Sequence, residues 1–262
     1  MKKPMKSEDY IKDYESCLEL LTSRTHILEN AISQIEALIS GDETYFSEKE
    51  AQIETEIEDK KTFVTAQQNE SVTALTGLVH LSFKQPVTVF TNGIIDNKIK
   101  ELIDRVAYAH IPIILLIEEM HQIILTYNPH LKDIEQEIGY QSSYINNIVT
   151  RHDNFKISSE DSEEYKAMLY MDNNLPRVME LVSSLESSQD RLLTLKDRIT
   201  TLTTQKDDLI HWKDEIADWV EQQTSEINKC SVNVKLIMEN ISTRMNDCYV
   251  LPPATCRGYV FQ

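Results

Sequence analysis

From Val178 to Cys248 the chain contains neither glycine nor proline, and its apolar residues follow one heptad. First positions are Leu192, Ile199, Lys206, Lys213, Val220, Ile227, Val234, Ile241 and Cys248. Fourth positions are Leu195, Leu202, Leu209, Ile216, Gln223, Cys230, Ile237 and Arg244. With Val178, Leu181, Leu185 and Ser188 upstream, sixteen of twenty-one seam positions are apolar. A seam this long predicts a helix packed against other helices, roughly 105 Å long at 1.5 Å per residue. Lys206 and Lys213 occupy consecutive first positions, where polar residues specify register or partner at some cost in stability. Ile210, Trp212, Ala217 and Trp219 flank them and widen the apolar face. The spacing therefore predicts that this stretch meets at least two other helices.

The N-terminal region carries a matching pattern. Ser7, followed by Glu8 and Asp9, suits a helix start. Ile11, Tyr14, Leu18, Leu21, Thr25, Leu28, Ile32, Ile35 and Ile39 then keep strict 3-4 spacing. Gly41-Asp42 could end this helix, with Ser47 and Glu50 capping a new one. Phe46 and Ile53 hold the earlier phase, however, which favours one long helix to about residue 78 with a kink or loose turn.

Between the two heptad regions the character changes. Val79–Phe83 and Val87–Phe90 are short β-branched and aromatic runs around Lys84-Gln85-Pro86, a pattern that predicts a small β-hairpin or extended tip loop. A helix is expected to resume at Asp96, to kink at Pro112 and to break at Asn128-Pro129. Val106–Tyr127 is the most apolar stretch. Glu118 and Glu119 interrupt it, and each central acid costs about 2.5–3.5 kcal/mol on insertion scales, so a buried bundle helix is expected rather than a constitutive span. Residues 158–164 read as an acidic linker, and Asn174 and Pro176 as the start of the last helix.

These features predict an all-α fold: an elongated antiparallel helical bundle or coiled-coil rod with a smaller apolar module, containing either a short β-hairpin or an extended loop, at one end. The expected parts are residues 1–78, a tip module at 79–175, a return helix at 176–250 and a non-helical tail at 251–262. Interhelix packing falls to Leu18, Leu21, Leu28, Ile32, Leu195, Leu202, Leu209, Trp212, Ile216 and Trp219. At the tip, Phe83, Val87, Phe90, Ile113, Ile114, Leu116, Ile117 and Ile124 are the candidates for partner or membrane contact.

Chemistry is sparse. Glu118-x-x-His121 has the spacing of a di-iron half-site, but that architecture needs a second such motif and two further glutamates, so neither metal nor other cofactor is expected. No nucleophile elbow or phosphate-binding glycine loop occurs, and the expectation is a non-enzyme. A net charge of -17 argues against a nucleic-acid partner, because phosphate binding needs a basic surface. The four cysteines show no metal-ligand spacing. Without an apolar run after the basic N-terminus, the expectation is a cytoplasmic protein, or one released without a Sec-type signal peptide.

Two uses follow. One is a coiled-coil scaffold or assembly subunit that docks other helical proteins or itself. The other comes from a resemblance: the order of long helix, apolar middle module and long return helix resembles the helical-rod cytolysins and the binary xenorhabdolysin-type pore-forming toxins over most of the chain. That resemblance implies a Val79–Tyr127 region sheltered in a soluble form and exposed on membrane contact. Glu118 and Glu119 are expected on the one wet face of their helix; buried instead, they would act as pH-switchable acids.

Overall fold

The computed structural model describes the backbone of residues 6–82 and 90–250, with side chains for 6–67, 97, 99–229, 232, 236 and 239. The protein is an all-α bundle. Its helices are α1 (Ser7–Ser82), α2 (Phe90–Val106), α3 (Ile111–Lys156), α4 (Glu163–Asn173) and α5 (Leu175–Val250). They divide between two compact units, Met1–Ser47 with Glu118–Asp207, and Glu48–Ile117 with Asp208–Gln262.

Helix α1 passes through Gly41 without a break, as the phase of Phe46 and Ile53 implied. Several other expectations are corrected. Val79–Ser82 is the last turn of α1 and Phe90–Gly93 the first of α2, so no strand forms among the described residues. Residues 83–89, including Phe83 and Val87, lie outside them, as does the tail expected at 251–262. Extending an existing helix adds a hydrogen bond per residue without a new nucleation cost, and β-propensity is weak without a partner strand. Helix α2 starts at Phe90 rather than Asp96 and ends at Val106. Pro112 is therefore the second residue of α3, where its missing N–H costs nothing, and it does not kink a longer helix. Pro129 is interior to α3. An interior proline costs about 3 kcal/mol, here outweighed by the buried Leu131, Ile134 and Ile138 that continue the seam beyond it. Residue Leu125, whose carbonyl loses its donor, is exposed to water.

In the first unit, α1 and α3 run antiparallel: Asp13 pairs with Arg151, Arg24 with Glu137 and Tyr45 with Glu119. Pairs from α1 to α5 keep a constant separation of 155 residues, with Glu29 to Ser184, Glu36 to Arg191 and Glu43 to Arg198. A constant difference means parallel helices. The direct antiparallel pairing expected between the first and last long helices is thus replaced by an up-down-up order, with α3 as the return helix. Helix α4 keeps the same spacing, Tyr170 bonding Glu15. Only Asn174 separates α4 from α5. Its side-chain amide donates to the Tyr170 carbonyl at 3.0 Å, and its own carbonyl accepts from Arg177 N–H at 3.1 Å. The break costs no register.

The core of this unit is built from Leu18, Leu21, Leu28 and Ile32 of α1, Leu131, Ile134 and Ile138 of α3, and Leu185, Leu192, Leu195 and Leu202 of α5. One layer is polar. Thr25 donates to Gln141 Oε1 at 2.8 Å, and Gln141 donates to Glu137 at 2.9 Å. Arg24 grips both oxygens of Glu137 at 2.7 and 2.5 Å. Hydrogen bonding to Arg24 holds the Glu137 carboxyl below its usual range, so the chain of donors and acceptors stays complete. At the start of α1 the Ser7 N–H donates to Glu163 at 2.8 Å. The hydrogen bond from Lys166 first, then that from Ser7, lowers the Glu163 carboxyl to about 2, in keeping with an anion at a helix N-terminus.

In the second unit Val64 of α1, Leu102 and Val106 of α2, and Ile227 of α5 form one cluster. Phe63, Ile99, Ile103, Trp219 and Val220 pack on it, half-buried. The widened face of α5 around Trp219 thus meets α1 and α2 together. Arg105 lies over the Phe63 ring at 4.1 Å.

Candidate interaction surface

A three-helix unit has three outer grooves, and in the first unit they differ. The α1/α5 groove is closed by repeating polar rungs. Arg191 grips Glu36 and donates to Ser33, and one heptad on Arg198 grips Glu43 and donates to Ser40. The Glu36 carboxyl is held below its usual range chiefly by its hydrogen bonds from Arg191. These rungs follow from arginine at a flanking heptad position of α5 and glutamate at the matching position of α1.

The α1/α3 groove is different. Outside the buried seam, α1 carries a second 3-4 line: Leu20, Arg24, Ile27, Ala31, Gln34, Leu38, Gly41 and Tyr45. Leu20, Ile27 and Leu38 are 47%, 64% and 59% exposed. Arg24, the one charge on this line, is held by Glu137. Beside it on α3 stand the exposed Tyr140 and Tyr144. A hollow of about 400 Å³ lies between the helices, lined in part by Leu38, Ile123 and Tyr127. The Tyr127 hydroxyl closes its wall by donating to Asp42; burial first, then Asp42, raises its pKa. In the α3/α5 groove a hollow of about 480 Å³ surrounds Gly139, with Leu193 on its rim and Lys196 bound to Glu135 at 2.8 Å.

The packing candidates Leu18, Leu21, Leu28, Ile32, Leu195, Leu202, Leu209 and Ile216 are buried, while Trp212 and Trp219 are half-buried. Lys206 and Lys213 are half-buried and each meets the next residue, Asp207 at 3.4 Å and Asp214 at 2.6 Å. The described tip candidates differ in exposure. Ile113, Leu116 and Ile124 are buried, Ile117 is half-buried, and Ile114 is exposed. The side chain of Phe90 lies outside the described residues. In the second unit Ile114 stands with Tyr108, Ile111 and Leu115 as an exposed apolar group at the start of α3. One stretch of helix within 99–156 is long and apolar enough to cross a membrane. Glu118 and Glu119 are exposed and hydrogen-bonded to Gln122 and Tyr45, so the burial that a pH-triggered insertion requires is missing. Among the described residues no three His, Cys, Asp or Glu side chains converge on a metal position.

The stronger buried seam of α1 masks the second line, because a heptad follows only one face of a helix. Its signal was in the sequence: Leu20, Ile27 and Leu38 are apolar, off that seam, and spaced by helical repeats.

No protein-family model matches this chain, and no curated protein matches it at a significant level. Among solved structures, a computationally designed three-helix bundle aligns with 90% of this chain and 97% of its own, at 13% identity and a TM-score of 0.46.

Proposed function

We propose that this chain is a non-enzymatic assembly subunit that docks helices of partner proteins or of a second copy on its outer grooves, in a cytoplasmic setting. The observation that carries this reading is the second apolar line of α1, exposed although the bundle core is complete without it. An exposed large apolar group that the fold does not use marks an interaction site. A net charge of -17 keeps the rest of the surface solvated, which leaves the exposed line of α1, whose one charge is paired with Glu137, as the place where another helix loses least on desolvation. Cross-linking in the native cell, followed by reconstitution with each purified partner, tests it. Ile27→Glu or Leu193→Glu should weaken a reconstituted complex by about tenfold or more. Complexes indifferent to both substitutions, or none at all, would refute it.

A second reading, a subunit of a helical pore-forming toxin, is favoured by one observation: the exposed Tyr108, Ile111, Ile114 and Leu115 beside a stretch apolar enough to span a bilayer. Liposome leakage by the chain, lost in Leu115→Glu, would support it; no lipid association alone or with partners would end it.

A further inference from the structure

Four residues, Ala107–His110, separate α2 from α3, and they lie within the second unit. The buried positions nevertheless keep helical spacing through this gap. Leu102, Val106, Ala109, Ile113 and Leu116 stand 4, 3, 4 and 3 residues apart, and all are buried. Such a series is the inward face of one helix, so the seam fits a continuous α2–α3 as well as a broken one. Only the backbone departs from it. The Ala109 N–H donates to the Val106 carbonyl at 3.0 Å, and the Ile111 N–H to that of Tyr108 at 3.2 Å. These are the i to i−3 bonds of 3₁₀ turns, and a 3₁₀ stretch within a helical run marks a hinge or a sequence under strain.

Two opposing observations show why neither form satisfies every group. Pro112 follows the gap directly after Ile111. In a continuous helix its ring would meet the Tyr108 carbonyl and leave it without a donor; in the broken form Ile111 supplies that donor. The broken form has its own cost. The bonds that a continuous helix would make from the Tyr108 N–H to Asp104 and from the His110 N–H to Val106 are absent. His110 Nδ1 is also buried without a partner, and a buried polar atom left unmatched is destabilising.

We propose that Ala107–His110 is a two-state joint, broken by Pro112 in one state and wound into a single α2–α3 helix on the same buried seam in the other. The joint governs the apolar group beside it. Tyr108 and Leu115 are 64% and 65% exposed, with Ile111 between them at 40%. In the broken state Tyr108 stands on the turn, apart from the face of α3 that carries Ile111 and Leu115. Their spacing of 3 and 4 residues sets all three along one face once the joint is wound. A partner that prefers one arrangement shifts the joint by its difference in affinity for the two. This goes beyond the assembly reading, because the joint operates in the free chain.

The test is a distance measurement between two nitroxide labels, by pulsed electron spin resonance. The labels are placed at Glu101→Cys and Glu118→Cys in the full chain, with the four native cysteines changed to serine. Circular dichroism checks that each variant folds. The free chain should show two populations, the smaller at roughly 26 Å, the length of 17 helical residues. Pro112→Ala removes the obstacle to winding and should make that population the larger one. Ala109→Gly disfavours helix and should deplete it. Hydrogen exchange at the Tyr108 and His110 amides should slow by about tenfold or more in Pro112→Ala, as both gain acceptors. A single population in the free chain overturns the two-state joint, whatever Pro112→Ala does. Two populations that Pro112→Ala and Ala109→Gly do not move in opposite directions also overturn it, since the motion then lies elsewhere.

Discussion

The polar layer of the first unit shows how single residues fix a bundle that apolar seams alone would leave free to slide. Thr25 and Gln141 occupy buried seam positions that Leu or Ile would fill with less desolvation cost, and they meet only in one register. Thr25→Val should therefore cost about 1–3 kcal/mol by leaving Gln141 Oε1 without its donor, while Thr25→Val with Gln141→Leu should be close to neutral. Urea unfolding of both variants checks this, and equal losses would refute the network. Carboxylates in this unit also predict a pH dependence. Glu36 and Glu137 have folded pKa values below the ordinary 4.5, and Glu163 falls to about 2. A depressed folded value contributes stability that is complete above the unfolded value and is lost as pH falls through the folded one. The melting temperature should hold above about pH 5 and decline from there towards pH 2, with Glu163→Gln flattening the lowest part of the curve. The sequence showed Thr25 as the one polar member of its seam, but its partner lies 116 residues away, beyond any local pattern.

Among the helices, α1 and α5 were legible because a heptad sustained over such a length arises where long helices pack together. Helix α3 was not. Its seam continues through Pro129, but a proline in a helical pattern ordinarily ends it, and the sequence therefore reads as two pieces. A broken α3 also implies the wrong direction for α5, since the return path then passes to the last helix. The parallel register of α1 and α5 makes a direct prediction. Glu36→Arg or Arg191→Glu alone should destabilise by about 1 kcal/mol or more through like-charge contact, and the charge-swapped double variant should recover most of it. A thermal melt of the four proteins measures the coupling. Additive losses would exclude the 155-residue register. The sequence places Asn174 at the start of the last helix, where an asparagine side chain ordinarily caps. Instead that side chain turns back to Tyr170 and the carbonyl serves α5, a choice set by α4, which no local pattern separates from the expected tip module.

Across the whole molecule, α1, α3 and α5 each contribute to both compact units, so unfolding one should disturb the other through unbroken helices. Both tryptophans belong to the second unit and Leu202 to the first. Leu202→Asp buries an unpaired acid at a site 1% exposed and should cost more than about 3 kcal/mol. Tryptophan fluorescence and circular dichroism should report coincident, lowered transitions; a fluorescence transition that does not move would mean that the units unfold separately. The sequence by itself determined the helical class, the long first and last helices and their inward faces. Heptad periodicity is local, and it dictates which side of a helix leaves water whatever the helix meets. Tertiary structure decided the up-down-up order, the continuity of α3 and the closed or open state of each groove. These depend on which seams face one another, and no short-range pattern encodes that choice. The line from Leu20 to Tyr45 belongs to both: its spacing was written in the sequence, and only the packed bundle revealed that Leu20, Ile27 and Leu38 stay exposed among the described residues.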